Sequence, residues 1–328
     1  MNAQPNHTTT RREAMKLGLL AGAGALGAGL GLVPSLRAAQ PSTRPAGGAM
    51  LMREIPKTGE KIPVIGLGTN RFGVQTEEEM APLREVIRLL VENGGSVIDT
   101  ARGYGRGRAE EVIGKIVDDL GVEDQVFIAT KTSIRDADRA AAVEQLEASL
   151  AALGMEKVAA MRVHNLGGWE TLLPVLREWK QEGKIRYLGV STSSDRQYED
   201  LARLIEEQEL DIVEVDYSVT NRSAAERILP LCQEHGVAVL NNVPLGGRRG
   251  NVLSAVSDRP LPDFARELGA TSWAQVCLKY NLSHPAVTAV IPGTTNPRHI
   301  VDNVNAGRGE LPDEDLRRRI EAIFDDTE

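Results

Sequence analysis

Eight short apolar runs, each followed by a stretch with helical spacing, constrain the fold of this chain more than any other feature. They read VIGLG (64–68), SVID (96–99), VFIAT (126–130), AAMRVH (159–164), YLGVS (187–191), DIVEVDY (211–217), VAVLN (237–241) and TAVIP (288–292). Runs this continuous suit strands buried on both faces, as in a parallel sheet covered by helices. The segments between them carry helix signals. TEEEMAPLREVIRLLVENG, for example, opens with Thr76 and Glu79 at capping-box spacing and closes on Gly94. Eight strand–helix units predict an α/β chain folded as a closed (β/α)8 TIM barrel. An open Rossmann sheet would need G-x-G-x-x-G after its first strand, and GLGTN lacks the third glycine. Ahead of the barrel, MREIPKTGEKIPVIG predicts an N-terminal β-hairpin turned at Thr58-Gly59, and a C-terminal helical extension follows the last strand. The longest irregular connection, roughly 246–260 after the seventh run, has the length of a functional loop.

Composition fits this picture. A length of 328 residues suits one α/β barrel, and 41% hydrophobic with 26% charged residues supports a large core. A formal net charge of -8 argues against nucleic-acid binding, which calls for a basic face. Cys232 and Cys277 fall in helical patterns and read as small core residues. A disulfide is the weaker alternative, because neighbouring barrel helices seldom bring Cα atoms within roughly 7 Å. No H-E-x-x-H or comparable ligand spacing is present, and His7, His235 and His284 are scattered, so no metal is expected.

Residues 1–49 read as an address and its linker, leaving 50–328 as the barrel domain. TTTRREAMK, then LGLLAGAGALGAGLGLV, then PSLRAAQ supply the basic, apolar and small-residue parts of a signal peptide. The Arg11-Arg12 pair and the mild Gly/Ala-rich apolar stretch resemble a twin-arginine (Tat) signal. Lys16 fits that pattern, and Ala14 stands where a bulky residue is usual. A plain secretory signal or a retained anchor is the alternative, although an apolar stretch of roughly 17 residues lies at the lower edge of a membrane span. Cleavage after Ala38 or Ala39 would leave Leu36 or Arg37 three places from the cut, and no cysteine is there for a lipid anchor. The resemblance implies the Tat export machinery as a partner and a periplasmic or otherwise exported location.

Chemistry gathers where the runs end. Asp99 and Tyr104 lie in VIDTARGYG, Lys131 in FIATKTS and His164 in MRVHNLG. A phenol with a pKa near 10 is a poor acid unless a cation stabilises its phenolate. Lys131 can supply that charge, Asp99 can hold the ammonium, and an imidazole can bind a carbonyl oxygen. One tyrosine or lysine alone would read as surface. Four such groups on consecutive strand ends form a working set.

This set resembles the catalytic tetrad of the aldo-keto reductases, and Glu110 and Gly114 complete that family's D-T-A-x-x-Y-G…E…G string. The resemblance implies hydride transfer between a nicotinamide cofactor and a carbonyl or alcohol substrate, with Tyr104 as general acid/base and His164 orienting the carbonyl. A cofactor-sensing barrel with little turnover is the alternative, and a sugar-binding barrel without nicotinamide is the third. The resemblance also implies cofactor contacts at Gly68, Thr69 and Asn70, and at Ser191 and Thr192 for the carboxamide, where Thr192 replaces the usual asparagine. Glu214 replaces the usual glutamine, Tyr217 would stack on the nicotinamide, and Pro244, Leu245 and Gly246, followed by Arg248 and Arg249, would meet the pyrophosphate. Thr294, Arg298 and Asn303 would hold the adenosine phosphate, with Gly293 and His299 departing from the usual lysine and arginine. NADP is expected, with NAD as the alternative. An ionised Glu214 would favour the oxidised nicotinamide by Coulomb attraction. A protonated or ion-paired Glu214 would not. A monomer acting on a small molecule is expected, and the substrate itself is not legible.

Overall fold

The computed structural model describes residues 48–135, 138–247 and 251–325. The N-terminal address and the Arg248-Arg249 pair lie outside the described residues. Strands β1 (Met52–Glu54) and β2 (Lys61–Pro63) form the antiparallel hairpin, turned through Thr58 and Gly59. The barrel strands are β3 (Leu67–Gly68), β4 (Val97–Asp99), β5 (Phe127–Thr132), β6 (Val158–Val163), β7 (Ile185–Thr192), β8 (Ile212–Asp216), β9 (Ala238–Asn242) and β10 (Val287–Val290). They pair in parallel and in sequence order. Bonds from Gly66 N to Val290 O (2.8 Å) and Gly68 N to Pro292 O (3.2 Å) join the first strand to the last. Each expected run became a strand of the expected (β/α)8 fold.

Helices α1 (Glu77–Glu92), α2 (Arg108–Leu120), α3 (Arg139–Leu153), α4 (Trp169–Gln181), α5 (Tyr198–Glu207) and α6 (Ile228–Glu234) alternate with the strands. The Thr76/Glu79 capping box is formed in both directions. Two short helices, α7 (Val252–Ala255) and α8 (Phe264–Glu267), follow β9, so the connection expected to be irregular contains helix. Then come α9 (Trp273–Leu282), α10 (Pro297–Asn305) and the C-terminal extension α11 (Glu314–Asp325). Cys232 and Cys277 are buried free thiols.

Strand alternation divides the core into two layers. Outward side chains such as Val163, Val190, Val213 and Val215 pack against the helices. Inward ones, among them Val97, Phe127, Ala129, Ala160, Tyr187, Ile212 and Leu240, fill the barrel floor together with Ile55 and Ile62 of the hairpin. Gly114 shows why its position takes no side chain. A Cβ there would lie 2.3 Å from Leu153 O, so the glycine lets α2 lie against the end of α3.

Candidate active site

The apolar floor gives way to charge at the C-terminal ends of the strands. Lys131, one residue before the end of β5, holds its ammonium 2.7 Å and 3.0 Å from the two Asp99 carboxylate oxygens, and it also donates to Thr100 O at 3.2 Å. Both side chains are almost fully buried. Beyond Asp99 the chain stays on β5 for three residues, with Thr100 N bonded to Ala129 O and Arg102 N to Lys131 O, both at 2.9 Å. A turn closed by Tyr104 N to Ala101 O (3.0 Å) then swings Tyr104 back over the lysine. This explains the five-residue spacing from Asp99. The Lys131 ammonium lies 5.2 Å from the Tyr104 ring centroid. His164, just past β6, meets Tyr104 edge-on with ring centroids 5.8 Å apart. The structure therefore brings all four expected residues together.

Sequence reasoning missed two neighbours of this group. Arg162, fully buried on β6, points inward with Nη1 donating to Glu214 Oε2 (2.5 Å) and Nη2 to Asp99 Oδ1 and Ala129 O. Glu214 Oε2 also lies 3.1 Å from the Lys131 ammonium. Asp99, Lys131, Glu214 and Arg162 thus close a ring in which each carboxylate touches both cations. Asn242, at the end of β9, donates from Nδ2 to Glu214 Oε1 at 2.9 Å. The guanidinium has room because its register partner on β7 is Gly189 and its neighbours on the floor include Ala129 and Ala160. The signal was present in the chain: an arginine at an inward position of a buried strand, two residues before His164. Of the two readings of Glu214, the ion-paired one is realised, so its charge does not face the nicotinamide pocket unbalanced.

These surroundings set the ionisation of each group. Burial, and then the Lys131 charge, depress His164 to about 4, so the imidazole is neutral at neutral pH and can donate one ring N–H. Burial raises the Tyr104 phenol, while Lys131 pulls it down. It is therefore an acid with its proton in place. Burial opposes the charge on Glu214, but Lys131 and Arg162 outweigh it and hold the carboxyl at about 2. Burial and the adjacent Glu214 push Asp99 up, against the pull of Lys131 and Arg162. The two carboxylates lift Lys131 above its ordinary range despite burial.

The expected cofactor segments divide into those that face the barrel mouth and those that do not. Ser191 is paired in register with Glu214 and carries only a long contact, 3.4 Å from Asn165 N. Thr192 is different. It is fully buried, and its hydroxyl donates to Gln197 Oε1 at 2.6 Å and accepts from Ser194 N, so its single O–H is already committed within the loop. Tyr217 corrects the expectation more sharply. By strand alternation it follows Val213 and Val215 outward, stacks on Tyr280 at 6.1 Å, meets His284 edge-on and accepts from Arg317. Its fully buried ring belongs to the layer between barrel and helices and cannot stack on a nicotinamide there.

Thr69 is buried with its hydroxyl on Asp99 O (2.8 Å), which fixes the strand end, whereas Asn70 is exposed and Gly68 packs tightly on Ile291 O. The Pro244–Gly246 segment is tied down by Asn281 Nδ2, which bonds Pro244 O at 2.9 Å and Asn241 Oδ1 at 3.1 Å. At the start of α10, Asn296 caps the Arg298 N–H and Thr294 accepts from Asn296 N, leaving the Arg298 side chain exposed on the first turn. Such a helix start suits a phosphate. Asn303 is buried further along α10. One unmet group fits a nicotinamide carboxamide in particular. Asn242 Oδ1 is buried without a hydrogen-bond partner, and its Nδ2 approaches Thr192 O at 3.4 Å, next to Ser191. An amide N–H would satisfy it.

Residues 64–323 match the model of the Aldo/keto reductase family. The chain belongs to the aldo/keto reductase family. It is an NAD(P)-dependent oxidoreductase acting on carbonyl substrates. Among curated relatives, aldo-keto reductase YhdN of Bacillus subtilis is 33% identical over 57% of this chain, a match that spans 59% of that relative's length. Methylglyoxal reductase YeaE of Escherichia coli is 28% identical over 78% of this chain and 89% of its own. Among solved structures, an aldo/keto reductase from Klebsiella pneumoniae in complex with NADP and acetate superposes with a TM-score of 0.69 at 26% identity. It covers 81% of this chain and 93% of that one.

Proposed function

We propose that this aldo/keto reductase is an exported enzyme that reduces small aldehydes and ketones, using Asp99, Tyr104, Lys131 and His164 as its catalytic set. The observation that carries this reading is the contact of Tyr104 with both Lys131 and His164 at the mouth of the barrel. A nicotinamide, when bound there, would supply a hydride for the carbonyl carbon. The neutral His164 donates its N–H to the carbonyl oxygen and orients it. Tyr104 hands its phenolic proton to the alkoxide oxygen as charge develops there, and Lys131 stabilises the phenolate left behind. Asp99 and Glu214 keep the ammonium in place. Ser191 and Asn242 would hold the carboxamide, and Arg298 would meet a 2′-phosphate, which favours NADPH over NADH.

Two relatives in Escherichia coli are named methylglyoxal reductases, and this supports α-oxoaldehydes as the first substrates to test. Protein lacking residues 1–39 is expected to oxidise NADPH with methylglyoxal or another member of a small aldehyde and ketone panel. Export rests on the Arg11-Arg12 signal. Because twin-arginine transport moves folded proteins, the monomeric barrel would cross with its cofactor bound and recycle it in place by oxidising one substrate and reducing another. Replacing Arg11 and Arg12 together by lysine should then retain the protein in the cytoplasm. Cofactor lost from the mature protein on desalting would defeat the carried-cofactor reading.

A further inference from the structure

The ring of charges beneath the catalytic set contains a pair that the hydride-transfer chemistry does not itself require. Asp99 alone suffices to hold the Lys131 ammonium. Glu214 adds a second carboxylate 3.1 Å from the same ammonium. A second buried anion there has two consequences. It competes with Tyr104 for the stabilising charge of Lys131, which makes the phenolate harder to form. It also places negative charge beneath the nicotinamide pocket, where it favours the positively charged oxidised ring.

Arg162 removes both consequences. Its guanidinium bridges Glu214 and Asp99 through different nitrogens, is fully buried, and is anchored a third time on Ala129 O at 3.1 Å. The ring then holds two anions and two cations and sums to zero. The groups around Tyr104 are Lys131 and His164 in contact, with Asp99, Glu214 and Arg162 behind Lys131. The register explains why the two residues occur together. Arg162 lies opposite Gly189 on β7 and Glu214 opposite Ser191, so both extend inward across the one strand that separates them.

We propose that Arg162 is a positioning residue matched to Glu214: it cancels that carboxylate, so that Lys131 stays committed to Tyr104 and the nicotinamide pocket stays electrically neutral. This rests on the reading that the nicotinamide lies over the ring, and the test separates the two. Dissociation constants for NADP+ and NADPH are measured at neutral pH for the unchanged protein, Arg162→Met, Glu214→Gln and the double variant. The Tyr104 titration is followed by phenolate absorbance difference, with Tyr104→Phe as the blank.

Arg162→Met leaves a net negative ring and should shift the affinity ratio toward NADP+ by about tenfold and raise the Tyr104 midpoint. Glu214→Gln leaves a net positive ring and should shift both in the opposite direction. The double variant is neutral again and should return both to within about threefold of the unchanged protein. If Arg162→Met does not fold, the opposite shift in Glu214→Gln and its reversal in the double variant carry the test. Tight binding of both cofactor forms with a ratio that stays constant across the variants overturns the proposal and leaves the cofactor site standing. No binding of either form to the unchanged protein overturns both.

Discussion

Both carboxylate oxygens of Asp99 accept from the Lys131 ammonium, at 2.7 and 3.0 Å, and the pair is shut away from water between β4 and β5. Glu214 supports the same ammonium from β8. Loss of Asp99 therefore leaves Lys131 charged and partly anchored, whereas loss of Lys131 leaves the Tyr104 phenolate without a cation. Asp99→Asn should lower kcat by about tenfold to a hundredfold and Lys131→Met by about 10²–10⁴-fold. Steady-state kinetics with one carbonyl substrate would show the order, and equal losses would contradict it.

His164 is held neutral down to about pH 4 by burial and by the Lys131 charge. Its folded pKa lies below the unfolded value, so the imidazole adds no charge as pH falls through 6.5 in the folded protein. The kcat/KM profile for reduction should accordingly show no acid limb near pH 6.5. His164→Gln, which keeps an N–H donor, should retain more activity than His164→Leu.

Arg162 is buried between two carboxylates, and removing it strands charge in the interior. Arg162→Met should cost about 3–5 kcal/mol of stability, and pairing it with Glu214→Gln should recover most of that loss. Urea denaturation of the three variants measures both values. An additive double variant would contradict the coupling.

Arg298 is exposed on the first turn of α10, whose N-terminus suits an anion. Arg298→Ala should weaken NADPH binding by about tenfold, corresponding to roughly 1.4 kcal/mol, with little change for NADH. The NADPH effect should shrink as salt rises. Fluorescence titration of each cofactor would show whether the loss is confined to the 2′-phosphate.

The barrel and the four candidate site positions were legible because both rest on local signals. Continuous apolar runs mark strands buried on two faces, and each of the four residues lies at or just past the end of one. What was not legible depends on direction and partnership. Tyr217 follows a glutamate that points inward, yet it is an odd number of residues further on and so turns to the helix layer. Thr192 bears a hydroxyl as expected, but its O–H is given to Gln197, and that local loop geometry is invisible in a motif. Glu214 could be seen as a departure, but its meaning waited on Arg162, 52 positions away. Asn242 gave no signal of its own. It matters because β9 ends beside β8 and brings its amide to Glu214.

In the proposed reaction Tyr104 gives its proton to the substrate oxygen. The most direct test compares carbonyl-dependent NADPH oxidation by protein lacking residues 1–39 with that of its Tyr104→Phe variant, after matching the two for bound cofactor. A fall of about 10²–10⁴-fold in kcat with cofactor affinity retained is the predicted result. Turnover within a fewfold of the unchanged protein would contradict the assignment of Tyr104 as the acid.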